Sequence, residues 1–166
     1  AALFRQGFRE ASVAELTGWL KHADRRVRQR TQLELVRRHE GDLLVKLALG
    51  GDDPLTRQHA LWGVWELGRQ PDSARWLAPL LPLLADTDAE LVAQACQVLG
   101  DCRHRPAEQE FTRLLEHPAP RVRYFAALGL GKLESTAAIA PLFRLLADNK
   151  EDDPILRHAA VMGLTG

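Results

Sequence analysis

Five copies of one phrase, about thirty residues apart, decide most of what this 166-residue chain can fold into. Each copy sets an acidic or small residue three places before an anchor, usually an arginine just after it, and a small residue four places after it. Asp24 precedes Val27, Arg28 and Thr31, and Asp53 precedes Thr56, Arg57 and Ala60. Asp88 leads to Leu91, Val92 and Ala95, Ala119 to Val122, Arg123 and Ala126, and Asp153 to Leu156, Arg157 and Ala160. The anchors Val27, Thr56, Leu91, Val122 and Leu156 are separated by 29, 35, 31 and 34 residues. Periods of this size belong to stacked helical hairpins, in which a single unit cannot bury its apolar face alone and about three are needed for stability. Length then counts repeats rather than one globular core.

Each repeat reads as two helices. The first carries an apolar pattern at helical spacing: Leu16, Trp19 and Leu20; Leu80, Leu83 and Leu84; Phe111, Leu114 and Leu115; Leu142, Leu145 and Leu146. Leu44, Leu47 and Ala48 form the weakest copy. These positions fall on one face of a helix and give it an apolar stripe. The second helix begins on a capping Asp (24, 53, 88 and 153), whose carboxylate can accept from an unpaired first-turn amide. Pro54 and Pro154 stand at the first helical position, where the missing N–H costs nothing. Its own stripe joins the anchor to the residues four and eight later: Val27/Thr31/Leu35, Thr56/Ala60/Val64, Leu91/Ala95/Leu99, Val122/Ala126/Leu130 and Leu156/Ala160/Leu164. The small central residue, with Gly63, Gly129 and Gly163 nearby, predicts close helix approach at a propensity cost of about 1 kcal/mol per glycine. The expected architecture is all-α, an α-solenoid of about five stacked helical hairpins. A helical extension is expected over 1–11 and a single repeat domain over 12–166. Its repeats would lie near 12–41, 42–70, 71–105, 106–134 and 135–166.

Composition narrows the function classes. Lys and Arg total 22 and Asp and Glu total 22, so no global field draws the chain to nucleic acid or to a membrane. The basic cluster of Arg25, Arg26, Arg28 and Arg30, joined by Arg37 and Arg38, is the local exception. It is either a solvated surface or a seat for an anionic partner. The longest apolar run, residues 76–85, is far below the roughly 18–20 residues of a membrane span and holds Pro79 and Pro82. Cys96 and Cys102 match neither a zinc pair nor a redox CxxC, and their spacing puts them on opposite sides of one helix. The chain starts at Ala1 and stops at Gly166 inside the fifth phrase, which reads as an excised fragment. Its compartment, cytoplasmic or periplasmic, would then follow the parent protein.

The phrase Asp-x-x-Val-Arg with a following Ala-x-x-Gly-Leu, fullest at residues 122–131, resembles the HEAT repeat family, in particular a bacterial, lyase-like subgroup. The resemblance covers about residues 12–166. It implies an α-solenoid whose second helices line a concave face, with a ladder of Asp and Arg joining successive turns. By resemblance that ladder would use Asp24, Asp53, Asp88 and Asp153 with Arg28, Arg57, Arg123 and Arg157, and it would weaken where Val92 and Ala119 depart from the pattern. Proteins with such repeats include helpers that attach or detach bilin chromophores. Residues 3–38 also look like the linker and first repeat of large bacterial proteins that join a dehydrogenase-like propeller, HEAT-like repeats and a c-type haem domain. This stretch would then be their spacer.

Function is sought at the positions two and six beyond each anchor, which the core does not need and which should face the concave side. Read in order they are Gln29 and Leu33, Gln58 and Trp62, Ala93 and Gln97, Tyr124 and Leu128, His158 and Met162, with Trp65 beside Trp62. Apolar and aromatic residues with a few polar handles have the makeup of binding hot spots. Trp62 and Trp65 either line such a groove or fold onto neighbouring repeats. No phosphate loop, HExxH, CxxCH or nucleophile elbow occurs, so no catalytic residue, cofactor or metal is expected. Cys102 and His104 are only two ligands, and the acidic turns 86–88 and 148–153 lack the spacing of a calcium loop. The expected role is a non-enzymatic scaffold for a protein or peptide, or for other domains of a parent chain. Gln, Ala, Leu and Trp stand on the face where nucleic acid would require Lys and Arg.

Overall fold

In the computed structural model, which describes residues 7–70, 74–150 and 152–166, every regular element is a helix. Among the described residues ten α-helices follow one another, and four pairs of them pack as hairpins: α1 (Val13–Trp19) with α2 (Arg25–Arg37), α3 (Gly41–Gly50) with α4 (Pro54–Gly68), α7 (Glu108–Leu114) with α8 (Pro120–Lys132), and α9 (Ile139–Asn149) with α10 (Pro154–Thr165). The short α5 (Ala74–Leu77) packs on α3 and α4, and α6 (Ala89–Asp101) on α8. This is the all-α solenoid class. The chain divides into two compact units, residues 1–79 and 80–166. Of the expected N-terminal extension, residues 8–11 form bends rather than helix, and 1–6 lie outside the described residues. Ser12 instead opens α1 with a capping box, its hydroxyl accepting from the Glu15 amide while the Glu15 carboxylate accepts from the Ser12 amide.

In the first-helix stripes Leu16, Leu20, Leu44, Ala48, Phe111, Leu115, Leu142 and Leu145 are buried, and Trp19, Leu47, Leu114 and Leu146 are half-buried. The third repeat departs from an α-helix. After α5, residues Ala78–Ala85 form a 3₁₀ helix holding Pro82. Proline removes amides that an α-helix needs, and the tighter turn survives their loss. Leu80 and Leu83 are three apart, one 3₁₀ turn, so the apolar stripe is kept and both are buried.

The second-helix stripes are buried at every position except Leu164, which is half-buried. Asp24, Asp53, Asp88 and Asp153 accept from the amides of Arg26, Thr56, Glu90, and Ile155 with Leu156, respectively. Ala119 offers no such bond, and Pro120 starts α8 in its place. α2, α6 and α8 each end in the same way, with a left-handed residue (His39, Arg103, Glu134) after the cap. The amide beyond it reaches back to the carbonyl five residues earlier, as in Glu40 to Leu35 at 3.1 Å.

Small residues set how closely hairpins stack within the second unit. A Cβ on Gly100 of α6 would lie 2.9 Å from the Cα of Gly129 in α8, and one on Gly131 would lie 2.9 Å from the Cα of Gly163 in α10. Backbones therefore touch at both junctions, nine residues past one anchor against seven past the next. In the first unit the nine-past position of α2 is Val36, and the junction with α4 is made differently, as described below.

Candidate partner-binding surface

In the first unit, α2 and α4 lie side by side and are joined by a half-buried polar clasp. The Arg28 Nε donates to His59 Nε2 at 3.1 Å, and His59 Nδ1 lies 2.9 Å from Gln32 Oε1. This arrangement fits a neutral imidazole with its proton on Nδ1. Burial lowers the His59 pKa below its ordinary value, and the charges of Arg28 and Arg25 lower it further. Arg28 also donates to the carbonyls of His22 (2.6 Å) and Ala23 (3.0 Å), which lie in the turn between α1 and α2.

The outward face of this pair carries Gln29, exposed Leu33, and half-buried Gln58, Trp62 and Trp65. The two indoles meet edge to face with centroids 5.5 Å apart, and the Arg69 guanidinium sits 4.8 Å over Trp65. Both tryptophans thus pack on each other and still present surface, so the two readings of them are not exclusive. Glu34 is buried beneath Arg37 and Arg38, whose hydrogen bonds, Arg37 first, hold its carboxyl at about 2. Arg26 bonding holds Asp24 at about 2 as well. Trp76 is buried against Gly41, where any Cβ would run into the indole, and donates to Asp42 at 3.1 Å.

In the second unit, Gln97, Tyr124 and Leu128 are half-buried, His158 and Met162 are exposed, and Ala93 is buried. Tyr124 and Phe125 meet edge to face at 4.9 Å. Beside them a cavity of about 450 Å³ is lined by Pro120, Arg121, Tyr124, Phe125, Ile155 and Leu156, with Asp153 at its edge. Phe125 and Ile155 were not among the expected site residues. The signal was present, because a helical face holding positions two and six past the anchor also holds the one before it and the one three past it. A larger cavity of about 800 Å³ opens on the first-helix side and is ionic, with Arg113, Arg123 and Arg144 facing Asp148, Asp152 and Asp153.

Arg28, Arg57 and Arg123 each donate to backbone carbonyls of their own repeat, and Arg28 also reaches His59 of the next one. Arg57 donates to the carbonyl of Ala48 and Arg123 to those of His117 and Pro118, as Arg28 does in the first repeat. Ion pairs also join successive repeats. Glu90 meets Arg121 at 2.8 Å, Arg103 meets Glu134 at 2.8 Å, and Asp101 meets Lys132. Each pair is separated by 31 residues, the interval between anchors Leu91 and Val122, so equivalent positions of opposite charge face one another. Cys96 and Cys102 do not form a disulfide with each other. Cys96 is fully buried, which pushes its thiol up to about 12.

Among solved structures, two engineered proteins from the Northeast Structural Genomics Consortium share the fold. One has a TM-score of 0.64 at 18% identity, over 92% of this chain and 77% of the other. The second has a TM-score of 0.58 at 19% identity, over 93% and 80%. Human deoxyhypusine hydroxylase, solved with glycerol, has a TM-score of 0.60 at 19% identity over 92% of this chain, which spans 60% of the enzyme's length. At these identities the likeness is one of fold. A search of curated proteins found no match. Residues 77–165, more than half of the chain, match the family described as HEAT repeats, and the chain belongs to that family.

Proposed function

We propose that this chain is a non-enzymatic scaffold that holds a protein or peptide on the outward faces of its second helices. The observation that carries this reading is the makeup of those faces. Leu33 and Met162 are 42% and 43% exposed, and Trp62, Trp65, Tyr124 and Leu128 are half-buried, at positions the hairpin core does not use. Aromatic side chains offer large contact area with few torsions to freeze, which is why they dominate binding energy at interfaces. The partner is another protein or another domain of the same parent.

The test selects peptides from a displayed random library on the 166-residue chain and measures them on the double variant Trp62→Ala/Tyr124→Ala. Loss of two aromatic anchors should weaken binding by about tenfold or more while the helical circular dichroism is kept. Peptides held equally well by the variant would sink the reading. The likeness of residues 122–131 to the lyase-like subgroup supports a second reading, a bacterial helper that handles a bilin. That reading predicts a shift of the bilin absorption band on titration, and an unchanged spectrum at saturation removes it. A spacer role in a larger dehydrogenase-like or cytochrome-like protein is compatible with the first reading.

A further inference from the structure

We infer that the α2–α4 face of the first unit receives an acidic segment of a protein partner, one that carries leucine-like side chains between its carboxylates. This rests on the scaffold reading above and narrows it to one unit and one partner chemistry.

The argument begins with charge. Residues 24–38 contain six arginines, at 25, 26, 28, 30, 37 and 38, and two carboxylates, Asp24 and Glu34. Both carboxylates are engaged, Asp24 in capping α2 and pairing with Arg26, and Glu34 in holding Arg37 and Arg38 together. Arg28 is turned into the clasp with His59 and the carbonyls of the preceding turn. Arg25 and Arg30 are exposed, and no acidic side chain among the described residues pairs with either. Arg26, Arg30, Leu33 and Arg37 follow one another at four, three and four residues, so they share one stripe of the helix, with Gln29 beside it. Among the described residues the face therefore keeps an excess of positive charge, carried by Arg25 and Arg30. Its field is felt locally, since Arg25 and Arg28 both oppose protonation of His59.

The same face is too apolar to be a mere solvated arginine helix. Leu33 is 42% exposed and Leu55 39% exposed, and the half-buried Trp62 stands on the α4 side. Positive and apolar groups alternate over one surface, and the complementary ligand alternates carboxylates with aliphatic side chains. A nucleic-acid strand fits less well, because its phosphates need a continuous row of cations, and here Leu33, Leu55 and Trp62 interrupt the row. Charge also selects the unit. Residues 80–166 hold twelve carboxylates against nine Lys and Arg, so the Tyr124 face lies in a unit that repels an acidic chain.

The experiment titrates the intact chain with fluorescein-labelled peptides of repeating Glu-Glu-Leu, Gln-Gln-Leu and Lys-Lys-Leu, followed by anisotropy. The Glu peptide should bind about tenfold tighter than the Gln peptide, and lose several-fold in affinity between roughly 0.05 M and 0.3 M salt. The variant Arg25→Gln/Arg30→Gln should bind it several-fold more weakly, both sites being exposed, and Trp62→Ala should weaken it to a similar extent at either salt. Equal binding of the Glu and Gln peptides, or tighter binding of the Lys peptide, overturns the inference and leaves the scaffold reading standing. So does binding that Tyr124→Ala abolishes while Arg25→Gln/Arg30→Gln does not change it. A single-stranded oligonucleotide that displaces the Glu peptide at lower concentration than the peptide itself overturns it in favour of nucleic acid. Failure of these peptides and of the library selection together would remove both readings.

Discussion

The two units solve the same packing problem in different ways. In the second unit, α6 meets α8 at Gly100 and Gly129, and α8 meets α10 at Gly131 and Gly163, with backbone against backbone. Exposed ion pairs between equivalent positions flank the first of these junctions. In the first unit, α2 meets α4 through the Arg28–His59–Gln32 clasp, and Thr31 stands where the other second helices have Ala, its buried hydroxyl without a partner. Glycine contacts bring helices close and leave little for a ligand to engage. The polar clasp holds its helices with side chains that reach the outward surface, next to the arginine stripe. The phrase that repeats is therefore a frame for the fold, and the residues between its fixed positions decide whether a junction is closed or available.

The largest expected effect separates two glycines at the same repeat position. A Cβ on Gly163 would lie 2.7 Å from the carbonyl oxygen of Ala127, which is helix backbone, whereas one on Gly63 would lie 2.9 Å from a methyl of Leu44. Backbone cannot yield without moving a helix, but a leucine methyl can rotate. Gly163→Ala should cost about 1–3 kcal/mol through overpacking, net of the roughly 1 kcal/mol that alanine gains in a helix. Gly63→Ala should cost less than about 1 kcal/mol on the same grounds. Urea unfolding of both variants decides it, and equal costs would mean that the junctions are equally tight.

A smaller effect of opposite sign lies at the helix ends. His39 and Arg103 occupy the left-handed position with φ of 58° and 50°. His39→Gly should stabilise by about 0.5–1 kcal/mol, the steric relief of a β-carbon at positive φ less the added entropy of the unfolded chain. Arg103→Gly should gain less, because it also removes the pair with Glu134, an exposed contact worth at most about 1 kcal/mol. Thermal melts that rank Arg103→Gly above His39→Gly would show that this inter-repeat ion pair contributes nothing.

How much of this was legible follows from which interactions are periodic. The caps at Asp24, Asp53, Asp88 and Asp153 and the stripes of both helices were readable, because each depends on residues a few positions apart. The 3₁₀ helix at Ala78–Ala85 was signalled by Pro79 and Pro82, but the Leu80, Leu83 and Leu84 pattern satisfies both helix types. The clasp was not legible. His59 lies in a different hairpin from Arg28 and Gln32, and it falls three places past its anchor, where the other copies have Arg30, Gln94, Phe125 and Ala159. The 31-residue ion pairs could have been found by aligning repeats three and four and looking for opposite charges in one column. Of the expected row, Ala93 is buried, and the apolar surface extends to Phe125 and Ile155, which the two-and-six rule passes over.

The smallest expected effect tests the clasp itself. His59 accepts from Arg28 at Nε2 only while that nitrogen has a free lone pair, so protonation turns an acceptor into a cation facing a cation. Its folded pKa is accordingly lowered, by burial first and by Arg28 and Arg25 next. A histidine depressed in the folded state contributes stability that is fully present above its unfolded value, near 6.5, and that is lost as pH falls through the lower folded value. His59→Gln has no titrating group there. Wild type should therefore lose stability relative to His59→Gln as the medium is acidified below about pH 6.5, with the two profiles running parallel above it. The second depressed histidine, His104, is lowered by burial alone and is common to both proteins, so it cancels in the difference. Urea unfolding at a series of pH values measures that difference. If it stays flat across the acid limb, the α2–α4 junction does not depend on a neutral His59, and the contrast between the units reduces to their glycines.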